Sequence, residues 1–594
     1  MITGPVFTSR VGSALAPDSL GTQSVNMALY RSVFPGINNA VQYIRVYSAL
    51  CWMVWRIDIV ATEREAKSAE AREIATRGMQ KIELLLSWAN VLHGLKGMPG
   101  RLRVWPKEED EDNEEIELRF DVLVSAEQQQ LVGKPGVAIK AGTHFMTAPE
   151  YQPSIARGLC FLFAHPDEPG IWALTPAGQE LAKAFQSMLA ETGHELAPWL
   201  SDPTDVCTTR AKVRSLWNPI LNVRECTDAE RHAFLAQYFP PPGHIPKHAP
   251  NWEHRSAGIT LALRAIHAAE GLFTDRDGFV PVEVIRHVMG SRRTPDGTVL
   301  DDESLLESAG YWTSLQYRQY IKLALETYLR MTEFEIHDAV LTDSARDIQA
   351  IADAIGERAA KELADVDVTV ADTVERLMSQ CLPDEPMLYR SGMQEENLSM
   401  AGRIEYLYET AWSVKATPGK RDDDARTPAQ AASALAYEAL VYCAVDIPLW
   451  LEIPEFKASL ERDRLSPSEL VRLVEEYRDA PLAHFVARIV KDYVINLHFR
   501  VVRERSEQKR NPRDSYRIVM GDEGLERDLH HQRELASVEI LEDRLQRALN
   551  LLARAGILEQ RCARTVPGDE DEFGLTEEGR QRVEQYVAAE EGVA

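Results

Sequence analysis

A chain of 594 residues is too long to close around one hydrophobic core. Single cores stop growing at roughly 250–300 residues, so this length divides into about three or four domains. Apolar periodicity says what those domains are built from. It is mostly helical, as in Thr342 to Ala364, where Ile348, Ile351, Ala352, Ile355 and Ala359 share one stripe. Hydrophobic residues make up 45% and charged residues 27% of the chain, which excludes whole-chain disorder.

The N-terminal third opens with two helices. Asn39 to Val60 carries Tyr43, Tyr47, Trp52 and Trp55 on several faces, so it reads as a helix set between other helices, capped by Asn38 or Asn39. Arg45 within it reads as a buried, paired arginine rather than one projecting along a groove. Glu63 to Leu92 is the second helix, stopped at His93-Gly94. Ile116 to Val124 reads as a strand. Further on, Ala431 to Leu451 is a strongly apolar helical region. Ser466-Pro467-Ser468-Glu469 is a capping box that starts a helix running to about Arg505, with an interruption near Pro481.

The formal net charge is −26, so the whole surface repels phosphates and any nucleic-acid contact needs a local basic patch. The most hydrophobic stretch, Val41 to Val60, contains Arg45, Arg56 and Asp58. Charges so placed argue against a bilayer span. Met1 to Ser13 lacks the pattern of a signal peptide. Seven cysteines (Cys51, Cys160, Cys207, Cys226, Cys381, Cys443 and Cys562) show no CxxC pair, which points to a reducing compartment and small buried thiols. The expectation is a cytoplasmic protein with no membrane attachment.

Two stretches share a local pattern. In the first, Ile171 to Leu174 reads as a strand and runs into Thr175-Pro176-Ala177-Gly178, where Thr175 caps a helix with Pro176 at its first position. A short helix from Pro153 to Phe163 precedes it. In the second, an amphipathic helix from Glu539 to Ala555 is stopped by Gly556. A hairpin with its tip at Pro567 to Glu570 follows, and Leu575-Thr576-Glu577-Glu578-Gly579 opens the last helix. This strand, Leu-Thr-x-x-Gly, helix pattern resembles the wing-to-helix junction of winged-helix domains, which bind DNA through a recognition helix or serve as protein-docking modules. The fold class expected is therefore mainly α: a multidomain helical protein with two winged-helix-like α+β segments, one N-terminal and one C-terminal. The expected divisions are 1–200, helical with the first such segment; 201–256, a proline-rich connection; 257–415, helical; 416–430, a linker; 431–535, helical with a basic segment; and 536–594, the second winged-helix-like domain.

That basic segment runs from Phe499 to Arg517. It holds Arg500, Arg503, Arg505, Lys509, Arg510, Arg513 and Arg517 against Glu504, Glu507 and Asp514. It reads either as a phosphate-contacting surface or as a charged helix end and loop facing the acidic bulk. Arg547 and Arg554, on the would-be recognition helix, join the candidate nucleic-acid contacts; Arg544 on the same helix and, from the hairpin, Arg561 and Arg564 add basic charge nearby. The hairpin tip itself, Asp569 to Glu572, is acidic, which weighs against a DNA-contacting wing.

Familiar catalytic patterns are missing from the sequence. Gly94-Leu95-Lys96-Gly97 lacks the spacing of a phosphate loop. His244, His248 and His254 sit among prolines that prevent helical presentation of a metal pair. Asp121 is not followed by the Glu-x-Lys of a metal-dependent nuclease. No residue is assigned a catalytic role and no cofactor or metal is expected.

The architecture resembles the kleisin subunits of bacterial condensin-like complexes, whose C-terminal winged helix docks on an ATPase head. The stretch Leu20-Gly21-Thr22-Gln23-Ser24 followed by Phe34 to Trp52 is also similar to uncharacterised bacterial proteins associated with antiviral defence loci. These resemblances imply a non-enzymatic, DNA-associated or complex-assembling component of a bacterial multi-protein system, with anti-phage defence as one setting. Its partners would be other proteins of that system and double-stranded DNA. A kleisin-like scaffold of a condensin-type complex, a diverged nuclease and a large transcriptional regulator are the alternatives.

Overall fold

The computed structural model of the protein describes residues 19–22, 29–30, 32–95, 98–99, 114–115, 117–120, 145–147, 150–166, 171–300, 303–363, 368–379, 400–416, 425–451, 454, 465–506, 516–528, 534–539, 544–562 and 571–591. The described residues are mainly helical, with a few short strands. They form two compact units, each drawn from separate stretches of chain. The first takes 34–260, 544–561 and 573–594; the second takes 1–33, 261–543 and 562–572.

In the first unit, α1 spans Ile44–Glu63 and α2 spans Ser68–Leu92. The chain enters α1 through a turn in which Asn38 Oδ1 accepts the backbone N–H of Ala40 (3.0 Å) and Val41 (3.2 Å). The Tyr151 hydroxyl then accepts from Gln42 and Tyr43, so the helix proper begins five residues beyond Asn39. Burial along α1 is nearly continuous from Ile44 to Val54, as expected of a helix set between others. The strand expected over Ile116 to Val124 appears as β1, Glu117–Arg119; 116 and 121–124 lie outside the described residues. Next come the wide turns of Pro153–Gly158, β2 (Leu162–Ala164), β3 (Trp172–Leu174), α3 (Pro176–Thr192), β4 (Cys207–Thr209) and α4 (Asp228–Tyr238). β1 and β4 pair antiparallel, Leu118 opposite Thr208, and β2 and β3 pair with Leu162 opposite Leu174. The helix expected to reach Phe163 therefore stops at Gly158, because the residues after it are pulled into the hairpin. Gly193, at φ +56°, ends α3 in the left-handed conformation that glycine adopts most readily.

The second unit is built around one long helix. Its elements are α5 (Val282–Ser291), α6 (Leu306–Thr342), α7 (Ile348–Glu362), α8 (Val370–Ser379), α9 (Met400–Ser413), α10 (Arg426–Asp446), α11 (Pro467–Glu476), α12 (Leu482–Ile489) and α13 (Asn496–Ser506), then the hairpin strands β5 (Ile518–Gly521) and β6 (Gly524–Arg527). Its core takes in Tyr328 of α6, Ile355 of α7, Tyr437 of α10 and Phe485 of α12. Small residues set the closest approach: a Cβ on Gly356 would lie 2.3 Å from the Ala483 carbonyl oxygen, so α7 and the start of α12 meet only because that side chain is missing. The stripe from Ile351 to Ala359 faces this core, and Asp347 caps α7 by accepting the N–H groups of Gln349 and Ala350. Ser466 caps α11 by accepting the Glu469 N–H at 3.1 Å, but the helix ends at Glu476 and a new one starts after Pro481, whose ring cannot continue the ladder.

The chain then returns to the first unit with α14 (Leu545–Arg554), the paired strands β7 (Leu558–Cys562) and β8 (Asp571–Leu575), and α15 (Glu577–Glu591). Leu545, Ala548, Leu549, Leu551 and Leu552 of α14 face inward. Among the described residues no helix is long and apolar enough to cross a membrane.

Candidate functional site

The two Leu-Thr-x-x-Gly stretches fold into the same junction, atom for atom. Thr175 Oγ1 accepts the Gly178 N–H at 3.1 Å and donates back to the Cys160 carbonyl at 2.8 Å, while its own N–H donates to the Phe161 carbonyl at 3.0 Å. Thr576 Oγ1 accepts the Gly579 N–H at 3.0 Å and donates to the Gly556 carbonyl at 2.8 Å; its N–H donates to the Ile557 carbonyl at 3.2 Å. The threonine thus fastens the start of the last helix to the segment that leads into the hairpin. Each glycine is required by a close approach. A Cβ on Gly178 would sit 2.0 Å from the Phe161 oxygen, and one on Gly579 would sit 2.2 Å from the Ile557 oxygen. The leucine packs beside it in both, Leu174 Cδ2 at 3.1 Å and Leu575 Cδ2 at 3.2 Å from those same positions.

α4 serves both junctions. Phe234 stacks on Phe161 of the first module (6.0 Å), and the Tyr238 hydroxyl donates to the Ala548 carbonyl of α14 (3.1 Å). Just after α4, Phe239 stacks on Tyr586 of α15 (5.1 Å), whose hydroxyl donates to the Pro240 carbonyl.

Buried cations hold the frame around the modules. Arg45 forms a two-pronged pair with Glu230, 2.8 Å on each prong, and donates Nη1 to the Pro219 and Ile220 carbonyls. Ser48 also donates to Glu230, which closes a capping box with Thr227 at the start of α4. Arg45 is therefore the paired arginine its place in an apolar run suggested. Arg255 donates to the carbonyls of Gln237, Tyr238 and Pro35, and burial pulls its pKa down to about 10. Lys81 donates to the Trp199 and Asp202 carbonyls and lies 3.8 Å from the Trp199 ring centroid; burial lowers it to about 8. The second unit repeats the device. Arg330 of α6 donates to the carbonyls of Ala411, Val414 and Ala536, and burial lowers it to about 10. Gln237, Tyr238, Ala411 and Val414 close helix C-termini, where carbonyls lack an intrahelical donor and the helix dipole favours a cation. These charges supply missing donors to the backbone, and each is already engaged by the protein itself.

The candidate nucleic-acid residues divide. Arg500 and Arg503 of α13 are exposed. Arg505 lies in α13, its side chain outside the described part; Lys509, Arg510, Arg513 and Arg564 lie outside the described residues. Arg517 differs from the expectation of a surface contact. It is 8% exposed, its guanidinium pairs with the fully buried Glu333 of α6, and Nη2 donates to the Glu534 carbonyl at 2.8 Å. A window count of charge could not see a partner 184 positions upstream. On α14, Arg554 is half-buried, donates to the Arg224 carbonyl at 3.0 Å and lies over the Tyr43 ring, and Arg547 is half-buried. Arg544 donates to the Ile37 carbonyl at 2.7 Å.

Among the described residues no group of three or more His, Cys, Asp and Glu side chains is placed to hold a metal ion. Sequence reading missed the anchors Glu230, Glu333 and Arg330. The available signal was a charge at a core position of an otherwise apolar helix face. The chain matches no family model, no curated protein and no solved structure.

Proposed function

We propose that the chain is a complex-assembling component of a multi-protein system, and that its two strand-Thr-x-x-Gly-helix modules are winged-helix-like elements used for protein docking. The observation that carries this reading is the orientation of α14, which would be the recognition helix of a DNA-binding module. Arg544, just before the helix, and Arg554, at its end, turn back to the Ile37 and Arg224 carbonyls, so these two cations serve their own unit. Phosphate contact depends on projecting cations, and the overall charge of −26 opposes it elsewhere on the chain.

A DNA-associated form of the reading is favoured by Arg500 and Arg503, which are exposed on α13. Binding of the purified chain to a short duplex across a salt series separates the two. The docking reading expects no binding at low salt and a partner held at fixed stoichiometry. Salt-sensitive binding that Arg500→Ala and Arg503→Ala weaken would move the function to DNA contact, because removing one phosphate-neutralising cation lowers the salt slope by about one.

A further inference from the structure

His498 stands near the start of α13 and is fully buried. Its two ring nitrogens face opposite kinds of partner. Nε2 lies 3.2 Å from the Arg517 backbone nitrogen and 3.5 Å from that of Ile518, both N–H donors at the start of β5. Nδ1 lies 3.1 Å from the Ser19 carbonyl oxygen, an acceptor. Only one protonation state satisfies both sides: the neutral ring with its proton on Nδ1. That ring joins three stretches far apart in sequence, the 19–22 segment, α13 and the β5–β6 hairpin.

A second proton on Nε2 would point a donor at a donor. From the hairpin, the Arg517 guanidinium turns to Glu333 of α6, and Arg527 also faces Glu333 at 3.8 Å. Glu333 further accepts the Ala536 N–H at 2.9 Å, so its carboxylate is committed to these groups. On α13 itself the next ring, Phe499, lies 6.0 Å away, and the described charged side chains Arg500, Arg503 and Glu504 are exposed. The 19–22 segment contributes the Ser19 carbonyl and no ionisable side chain.

We propose that His498 is a pH-sensitive clasp: neutral, it fastens the 19–22 segment and the head of the β5–β6 hairpin to α13, and on protonation at Nε2 it releases the hairpin head while Nδ1 keeps its donation to the Ser19 carbonyl. The clasp acts within the second unit and stands whether or not the docking reading is right.

Hydrogen exchange of the full chain, corrected for the intrinsic pH dependence, tests it. Between about pH 7 and about pH 5, protection across 516–527 is expected to fall, by up to about tenfold per pH unit. Protection across Ile351 to Ala359 in α7 is expected to hold. His498→Gln keeps an acceptor near the Nε2 position that takes no proton, and is expected to remove the pH dependence. A flat wild-type profile, an equal loss in α7, or the same fall in His498→Gln would each overturn the clasp. Should the variant not fold, the wild-type contrast between the hairpin and α7 still decides.

Discussion

The two Thr-x-x-Gly modules share a junction and differ in what surrounds it. α3 of the first module lies in the core: Trp52 packs on Phe185 at 5.1 Å and donates its indole N–H to Gln186. Over 577–586, α15 of the second module is largely open, with Val583 buried and Tyr586 stacked on Phe239. The strands follow the same contrast, three residues each in β2 and β3 and five each in β7 and β8. A local motif therefore fixes the geometry of a junction without fixing how much stability hangs on it. Stability depends on whether the helix beyond the junction has room to shift.

Removing what α4 provides should break the comparison most. Glu230→Ala leaves Arg45 charged and unpaired in the core, and a loss of about 4 kcal/mol is expected in urea unfolding. Exchange at the Gly178 amide should rise with it. If Glu230→Ala left the urea midpoint unchanged, the buried pair would not be what holds α1 to α4.

Acid should act on the other unit. Burial lowers His287 of α5 from the usual 6.5 to about 4. The unfolded chain then binds the extra proton first, so stability is complete above about pH 6.5 and is lost as pH falls toward about 4, by about 3 kcal/mol. His287→Phe should flatten that part of a pH-melting curve. Both Thr-x-x-Gly junctions should be indifferent to the change.

The glycines sharpen the contrast directly. Gly178→Ala forces a Cβ onto the Phe161 carbonyl against a packed helix, at a cost of about 3 kcal/mol. Gly579→Ala meets the Ile557 carbonyl in the same way, but α15 has solvent on one side and can yield, so about 1 kcal/mol is expected. Equal losses in a melting experiment would show that the junctions, not their surroundings, set the energetics. The smallest effect belongs to the caps. Thr175→Val removes a cap and two hydrogen bonds for about 1–2 kcal/mol, and Thr576→Val for about 1 kcal/mol, read as shifts in urea midpoint.

Much of the local structure was legible because short-range chemistry specifies it. The Thr175 cap with Pro176 behind it, the Ser466 cap and the stripe on α7 are contained within a few turns of chain. Helix ends were less legible where a distant group intervenes. α1 starts late because the Tyr151 hydroxyl, about 108 positions away, takes the first amides. The buried anchors were the hardest to read. Nothing near Arg517 announces Glu333, and nothing near Arg45 announces Glu230, because such pairs exist only once the chain has folded. Arg45 was the easier of the two, since an arginine inside an apolar helix must find a partner, whereas Arg517 sits among other charges and looks like one of them.

The first unit borrows its closing pieces from the far end of the chain, with roughly 280 residues between Thr260 and Arg544. At about 5–20 residues per second, synthesis of that interval lasts roughly 15–60 s. Throughout it Phe234 and Arg45 already have their neighbours, while Tyr238 and Phe239 wait for Ala548 and Tyr586. The nascent chain thus carries an uncovered aromatic seam for far longer than a helix takes to form. Translation speed through the middle of the message becomes a determinant of yield, and a chaperone that shields that seam would matter more than one acting after release.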